Sequence, residues 1–161
     1  MTRPTSSFPR KRESSLLLAL CAATLLAGCA AHHGHAPLER YPMPSDPEGK
    51  LPFSDAVRAG GLLFQSGKLG LLPGTMQLAP GGIQAETRQT LENIRKGFAQ
   101  QGVSMDRVVK CTVFLADIKE WAAMNEVYVQ FFPGGKPARS ALGTSGLALG
   151  ARVEIECIAA L

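Results

Sequence analysis

Two charged groups stand where chemistry could be done. Arg139 lies in Lys136-Pro137-Ala138-Arg139-Ser140-Ala141, and Gly143, Gly146 and Gly150 follow among alanines and serines. Such a stretch lets backbone approach a ligand closely. A guanidinium beside it can grip a carboxylate through two parallel hydrogen bonds. Fifteen residues on comes Glu154, with Glu156 two further, so both glutamates share one side of a strand. A carboxylate next to a small bound molecule can orient or deprotonate water. Together they describe a hydrolytic site for a small acidic substrate. By spacing alone, a structural arginine–glutamate pair is the commoner arrangement.

The elements that must position these groups follow from periodicity. Leu62 to Ser66, preceded by Gly60-Gly61 and stopped by Gly67, predicts a strand, and residues 71–75 a turn. Ile83, Thr87, Leu91, Ile94 and Phe98 recur on one helical face, so 83–101 is a predicted helix with Gly102 as its stop. The β-branched and aromatic run 108–115 predicts a strand. Asp117 with Glu120 predicts a capping box, opening a helix through Trp121, Met124, Tyr128 and Phe131 to Pro133-Gly134-Gly135. That aromatic stripe reads as core. A loop, with room for a strand, leads to a final strand over 152–161. Two helices against one mixed sheet make an α+β domain.

The 161 residues carry a formal charge of +4, of which residues 1–28 contribute a net +3 (Arg3, Arg10, Lys11, Arg12 and Glu13). The remaining +1 has no basic stripe, which argues against a nucleic-acid partner. Basic residues at 10–12 precede the apolar run Leu16–Gly28 and then Cys29. That order is similar to a bacterial lipoprotein signal, which predicts a leader over 1–28 and lipid on Cys29. Ala30 next to it points to an outer-membrane protein facing the periplasm. Residues 29–50, rich in Pro, Gly and His, are expected to be a flexible tether, with the domain over 51–161. His32, His33 and His35 have no fixed fourth ligand nearby, so no metal site is assigned. Cys111 and Cys157 lie in apolar runs and are expected as buried thiols, although an oxidising compartment permits a disulfide.

A series of short motifs carries a resemblance. Ser66-Gly67 after a strand, Ala85 to Asn93 in the first helix, Val108 to Asp117, Met124 to Tyr128, Pro137-Ala138-Arg139-Ser140 and Val153 to Glu156 occur in the order of the Rid (YjgF/YER057c/UK114) family. The resemblance implies a chorismate-mutase-like α+β fold assembled as a homotrimer, with ligand clefts between subunits. It implies hydrolysis of 2-imino acids and their enamine tautomers, such as 2-aminoacrylate, to 2-keto acids and ammonia, without metal or organic cofactor. Arg139 matches the arginine that holds the substrate carboxylate, and Glu154 the glutamate that handles water. The backbone around Ala141 matches the segment that contacts the imine nitrogen or bound acid, and Phe53, Ser66 and Asn125 match pocket positions of the family. Phe53 replaces the usual tyrosine, Ala141 a frequent cysteine, and Lys68 a usual glutamine. The alternative is a non-catalytic envelope module that holds a small carboxylate in the same cleft.

Overall fold

The computed structural model describes residues 37–46 and 48–161. Cys29, the three histidines and the 1–28 leader lie outside the described residues. Six strands run β1 (Glu39–Tyr41), β2 (Ala56–Ala59), β3 (Leu62–Leu69), β4 (Val108–Leu115), β5 (Ala138–Gly143) and β6 (Val153–Ala160). The helices are α1 (Gly82–Gln100) and α2 (Trp121–Tyr128). The sheet order is β1-β2-β3-β6-β4-β5, antiparallel except for the parallel β4–β5 pair that α2 connects. This is the expected mixed α+β architecture with two helices.

Local chemistry explains each junction. Gly60 and Gly61 have φ of 52° and 80°, the two left-handed residues that close a tight hairpin between β2 and β3. On α1 the residues Ile83, Thr87, Leu91, Ile94 and Phe98 are all buried, so the predicted face is the packed face. It meets the side of the sheet where Leu63, Val113, Val153, Ile155 and Ala159 point inward. Gly102 at φ 71° ends the helix, its amide and that of Val103 donating to Ala99 and Phe98 carbonyls at 3.0 Å.

Four expectations change. Glu39–Tyr41, inside the stretch read as tether, pairs with β2, and the Tyr41 carbonyl accepts from the Asp55 amide at 2.7 Å. The predicted second helix is an α-helix between two 3₁₀ turns, Ile118–Glu120 and Val129–Phe131. Its capping box does not form. Asp117 accepts from the Lys119 amide at 2.9 Å, while the Glu120 carboxylate turns to Arg152, whose Nε lies at 3.0 and 3.1 Å. The segment around Arg139 takes the strand for which the sequence left room. Finally, Cys111 and Cys157 form a disulfide rather than two thiols. They are direct register partners on β4 and β6 with Cα atoms 4.1 Å apart, and each is 1 % exposed. Directly opposed positions in an antiparallel pair bring Cβ atoms close enough to bridge, a relation that depends on strand register.

Candidate active site

Arg139 sits on β5, the edge strand, opposite Cys111 of β4. Cys111 points into the core, so Arg139 leaves the sheet on the helix side. Its guanidinium carbon lies 4.6 Å from the Tyr128 ring centroid and 5.7 Å from that of Trp121, both on α2. Aromatic faces hold a guanidinium by cation–π attraction without occupying its N–H donors. Among the described residues Arg139 makes no hydrogen bond or ion pair. Arg152 is the contrast, since its guanidinium is committed to Glu120.

Two polar atoms of α2 are left without partners among the described residues. Asn125 Oδ1 and the Tyr128 hydroxyl are both buried and unpaired. Trp121, Asn125 and Tyr128 are spaced by four and three residues, one face of α2. Burial pushes the Tyr128 phenol up to about 12, while the nearby Arg139 charge pulls the other way. The phenol therefore stays protonated at neutral pH and can donate. Ala141, two residues beyond Arg139 on the same side, packs against the core.

Glu154 lies on β6 opposite Phe114 of β4, which pairs with Leu142 of β5. That row alternates with the Cys111–Arg139 row, so Glu154 leaves the sheet on the side away from the helices. Glu156 shares that side, as expected. Burial and then the Glu156 charge raise the Glu154 pKa above the ordinary carboxylate value. Gly67 explains its neighbouring motif, because a Cβ there would overlap the Glu154 carboxylate. Gly67 lies where the β3–β6 register shifts between Gln65 and Lys68, so the strand yields room for this one side chain.

One chain thus does not bring Arg139 and Glu154 together; they occupy opposite faces of the same sheet. Ser66, expected in the pocket, is committed locally. Its hydroxyl donates to the Ser54 carbonyl at 2.6 Å and its amide to the Asp55 carbonyl at 3.0 Å. Lys68 pairs with Asp55, both nearly buried. These contacts fasten the 52–55 turn to β3 and leave Phe53 projecting, 52 % exposed. Two surface hollows, about 780 Å³ beside Arg95 and Phe131 and about 320 Å³ beside Phe53, include neither Arg139 nor Glu154 in their linings. Sequence reading did not place Trp121 or Tyr128 at the site. Their spacing matches a core stripe, and only the parallel pairing of β4 with β5 brings Arg139 over them.

Comparison with known proteins agrees with this architecture. The Endoribonuclease L-PSP family profile matches residues 43–161. The chain is 44 % identical over 108 residues to a 2-iminobutanoate/2-iminopropanoate deaminase of Capra hircus, covering 67 % of this chain and 79 % of that one. It is 40 % identical over 110 residues to Reactive Intermediate Deaminase A, chloroplastic, of Arabidopsis thaliana. That match covers 68 % of this chain and only 59 % of the longer plant protein. The crystal structure of the Rid family protein YyfA from Yersinia pestis superposes with a TM-score of 0.71 at 35 % identity, covering 78 % of this chain and 100 % of that one. The chain therefore belongs to the Rid (YjgF, L-PSP) family.

Proposed function

We propose that this protein hydrolyses 2-imino acids and their enamine tautomers to 2-keto acids and ammonia. The observation that carries the reading is Arg139, a cation backed by two aromatic rings with no partner of its own among the described residues. Such a fork suits the carboxylate end of a small acid. Relatives at about this level of identity are named for imine deamination. In the proposed reaction Arg139 fixes the carboxylate, which aligns the imine carbon with water. Glu154, its pKa raised by burial, takes a proton from that water as it attacks and returns it to the departing nitrogen.

Because Arg139 and Glu154 diverge within one chain, the site is completed across a homotrimer, the guanidinium of one subunit facing the carboxylate of the next. The uncovered sheet face supports this. Phe64 and Leu142 stand 40 % and 42 % exposed there, a surface that a second sheet would cover. The protein is further proposed to be exported and lipid-anchored through Cys29 in the cell envelope, its imines supplied there by amino-acid-oxidising enzymes. The Cys111–Cys157 disulfide supports an oxidising location. Among the described residues no helix is long and apolar enough to cross a membrane.

The test is a competition assay. An amino-acid oxidase generates imino acids, and the full chain competes with semicarbazide trapping. The wild type is expected to deplete the trapped imine and Arg139→Ala to leave it untouched. Equal behaviour of the two would reduce the protein to a carboxylate-binding module or less. For the anchor, Cys29→Ser is expected to move the protein into soluble envelope fractions, and unchanged membrane retention counts against lipidation.

A further inference from the structure

The geometry points to Trp121 as the residue that sets the size of the acid this site prefers, selecting branched aliphatic side chains over a methyl group. The inference rests on the carboxylate-binding role of Arg139 proposed above and goes beyond it in naming a substrate class. Tyr128 and Trp121 both flank the guanidinium, but they differ in exposure. Tyr128 is buried at 3 %, whereas Trp121 remains 45 % exposed. Tyr128 is thus spent on holding the cation. Trp121 touches it and still offers free indole surface.

Distance makes that surface usable. A carboxylate bridged to Arg139 through its N–H edge lies within hydrogen-bond reach of the guanidinium. The Trp121 ring centre is 5.7 Å from the same guanidinium carbon. The substituent on the α-carbon of a bound acid, two bonds beyond the carboxylate carbon, therefore comes within reach of the indole. A methyl group covers little of it. An isobutyl group covers a large part and removes apolar area from water on both partners. Among the described residues the charged group stacked on the Trp121 ring is Arg139.

Trp121 is also the chain's single tryptophan, so the residue reports on its own occupancy. The experiment uses the stable products, pyruvate and 4-methyl-2-oxopentanoate, titrated calorimetrically and by intrinsic fluorescence into the full-length protein. The wild type is expected to bind the branched acid about 10-fold more tightly than pyruvate, with a change in tryptophan emission. Arg139→Ala is expected to lose both acids. Trp121→Ala is expected to collapse the preference to about twofold or less. Trp121→Phe, which keeps an aromatic wall, is expected to retain most of the preference.

Several results would overturn the assignment. They are a preference unchanged in Trp121→Ala, a wild type that favours pyruvate or binds neither acid, or loss of both acids in Trp121→Ala and Trp121→Phe alike. The last would make Trp121 only a support for Arg139. Imine hydrolysis, assayed separately, distinguishes this idea from the deaminase reading. Preserved size selection without hydrolysis removes the enzyme and leaves the specificity residue standing. Hydrolysis with no Trp121-dependent selection does the reverse.

Discussion

The two faces of the sheet solve different problems with the same strands. On the helix side, Arg139 is held as a fully available cation by rings that contribute no competing charge. On the other side, Glu154 is held near a second carboxylate in a place that disfavours its ionised form. One face therefore keeps a cation unpaired among the described residues, and the other favours the protonated form of a carboxylate. Strand alternation forces this separation, because Arg139 registers with Cys111 and Glu154 with Phe114, positions of opposite parity on the intervening strand β4. A fold of this kind places both groups around one small molecule only if another copy of the sheet supplies the second face.

Changes on the open face are expected to have the largest consequences. Glu154→Gln should lower kcat/KM by about 10²–10⁴-fold while leaving 2-keto acid binding nearly intact, the pattern of a lost proton carrier. The acid limb of the wild-type pH profile has a defined direction. A base must be ionised, and burial with the Glu156 charge raises the Glu154 pKa above 4.5. Activity should then fall, as pH is lowered, at a higher pH than an ordinary glutamate gives. Glu156→Gln should move that limb to lower pH. A limb centred at or below 4.5 would remove Glu154 from the proton-transfer role.

On the helix face, Arg139→Ala should cost about 10²–10³-fold in kcat/KM, with ligand binding lost alongside, as when one partner of a charge-assisted pair is removed. Loss of turnover without loss of binding would mean that the guanidinium is not the carboxylate anchor. The link between β4 and β6 comes next in size. The disulfide ties β4 to β6 across a sequence separation of 46, so Cys111→Ala with Cys157→Ala should destabilise the fold by about 2–5 kcal/mol. Thermal unfolding with and without reductant reads this directly. A double variant as stable as the wild type would mean that the pair contributes nothing to the fold.

The smallest effect belongs to Tyr128. Its hydroxyl is buried without a partner among the described residues, so Tyr128→Phe should leave stability within about 0.5 kcal/mol or raise it slightly. If the hydroxyl donates to bound ligand, KM should rise in the same variant. A clear loss of stability would show that the hydroxyl has a partner in the assembled protein.

Much of the scaffold was legible in the residues. The face of α1 and the shared side of Glu154 and Glu156 follow from period, and the strands β3, β4 and β6 from apolar and β-branched runs and their flanking residues. Arg139 and Glu154 stood out by type and by family resemblance. The rest depends on relations between strands. Alanine, serine and glycine over Ala138–Gly143 carry little strand preference, so β5 declares itself only by pairing with β4. Three residues at Glu39–Tyr41 are too few to show a period. The disulfide, the aromatic support under Arg139 and the divergence of Arg139 from Glu154 all follow from register, which periodicity does not encode. Trp121 was hidden for a different reason, since a half-exposed ring on an amphipathic helix has the same spacing as a core residue.

Mixing two inactive proteins tests the central claim most directly. The Arg139→Ala and Glu154→Gln proteins, each expected to be inactive, would be unfolded together and reassembled in equal amounts. If each site pairs the arginine of one subunit with the glutamate of the next, random assembly leaves about one site in four with both groups intact. Recovery of about a quarter of wild-type imine hydrolysis is the predicted result. A mixture no more active than either variant, despite verified subunit exchange, would contradict a site shared between chains.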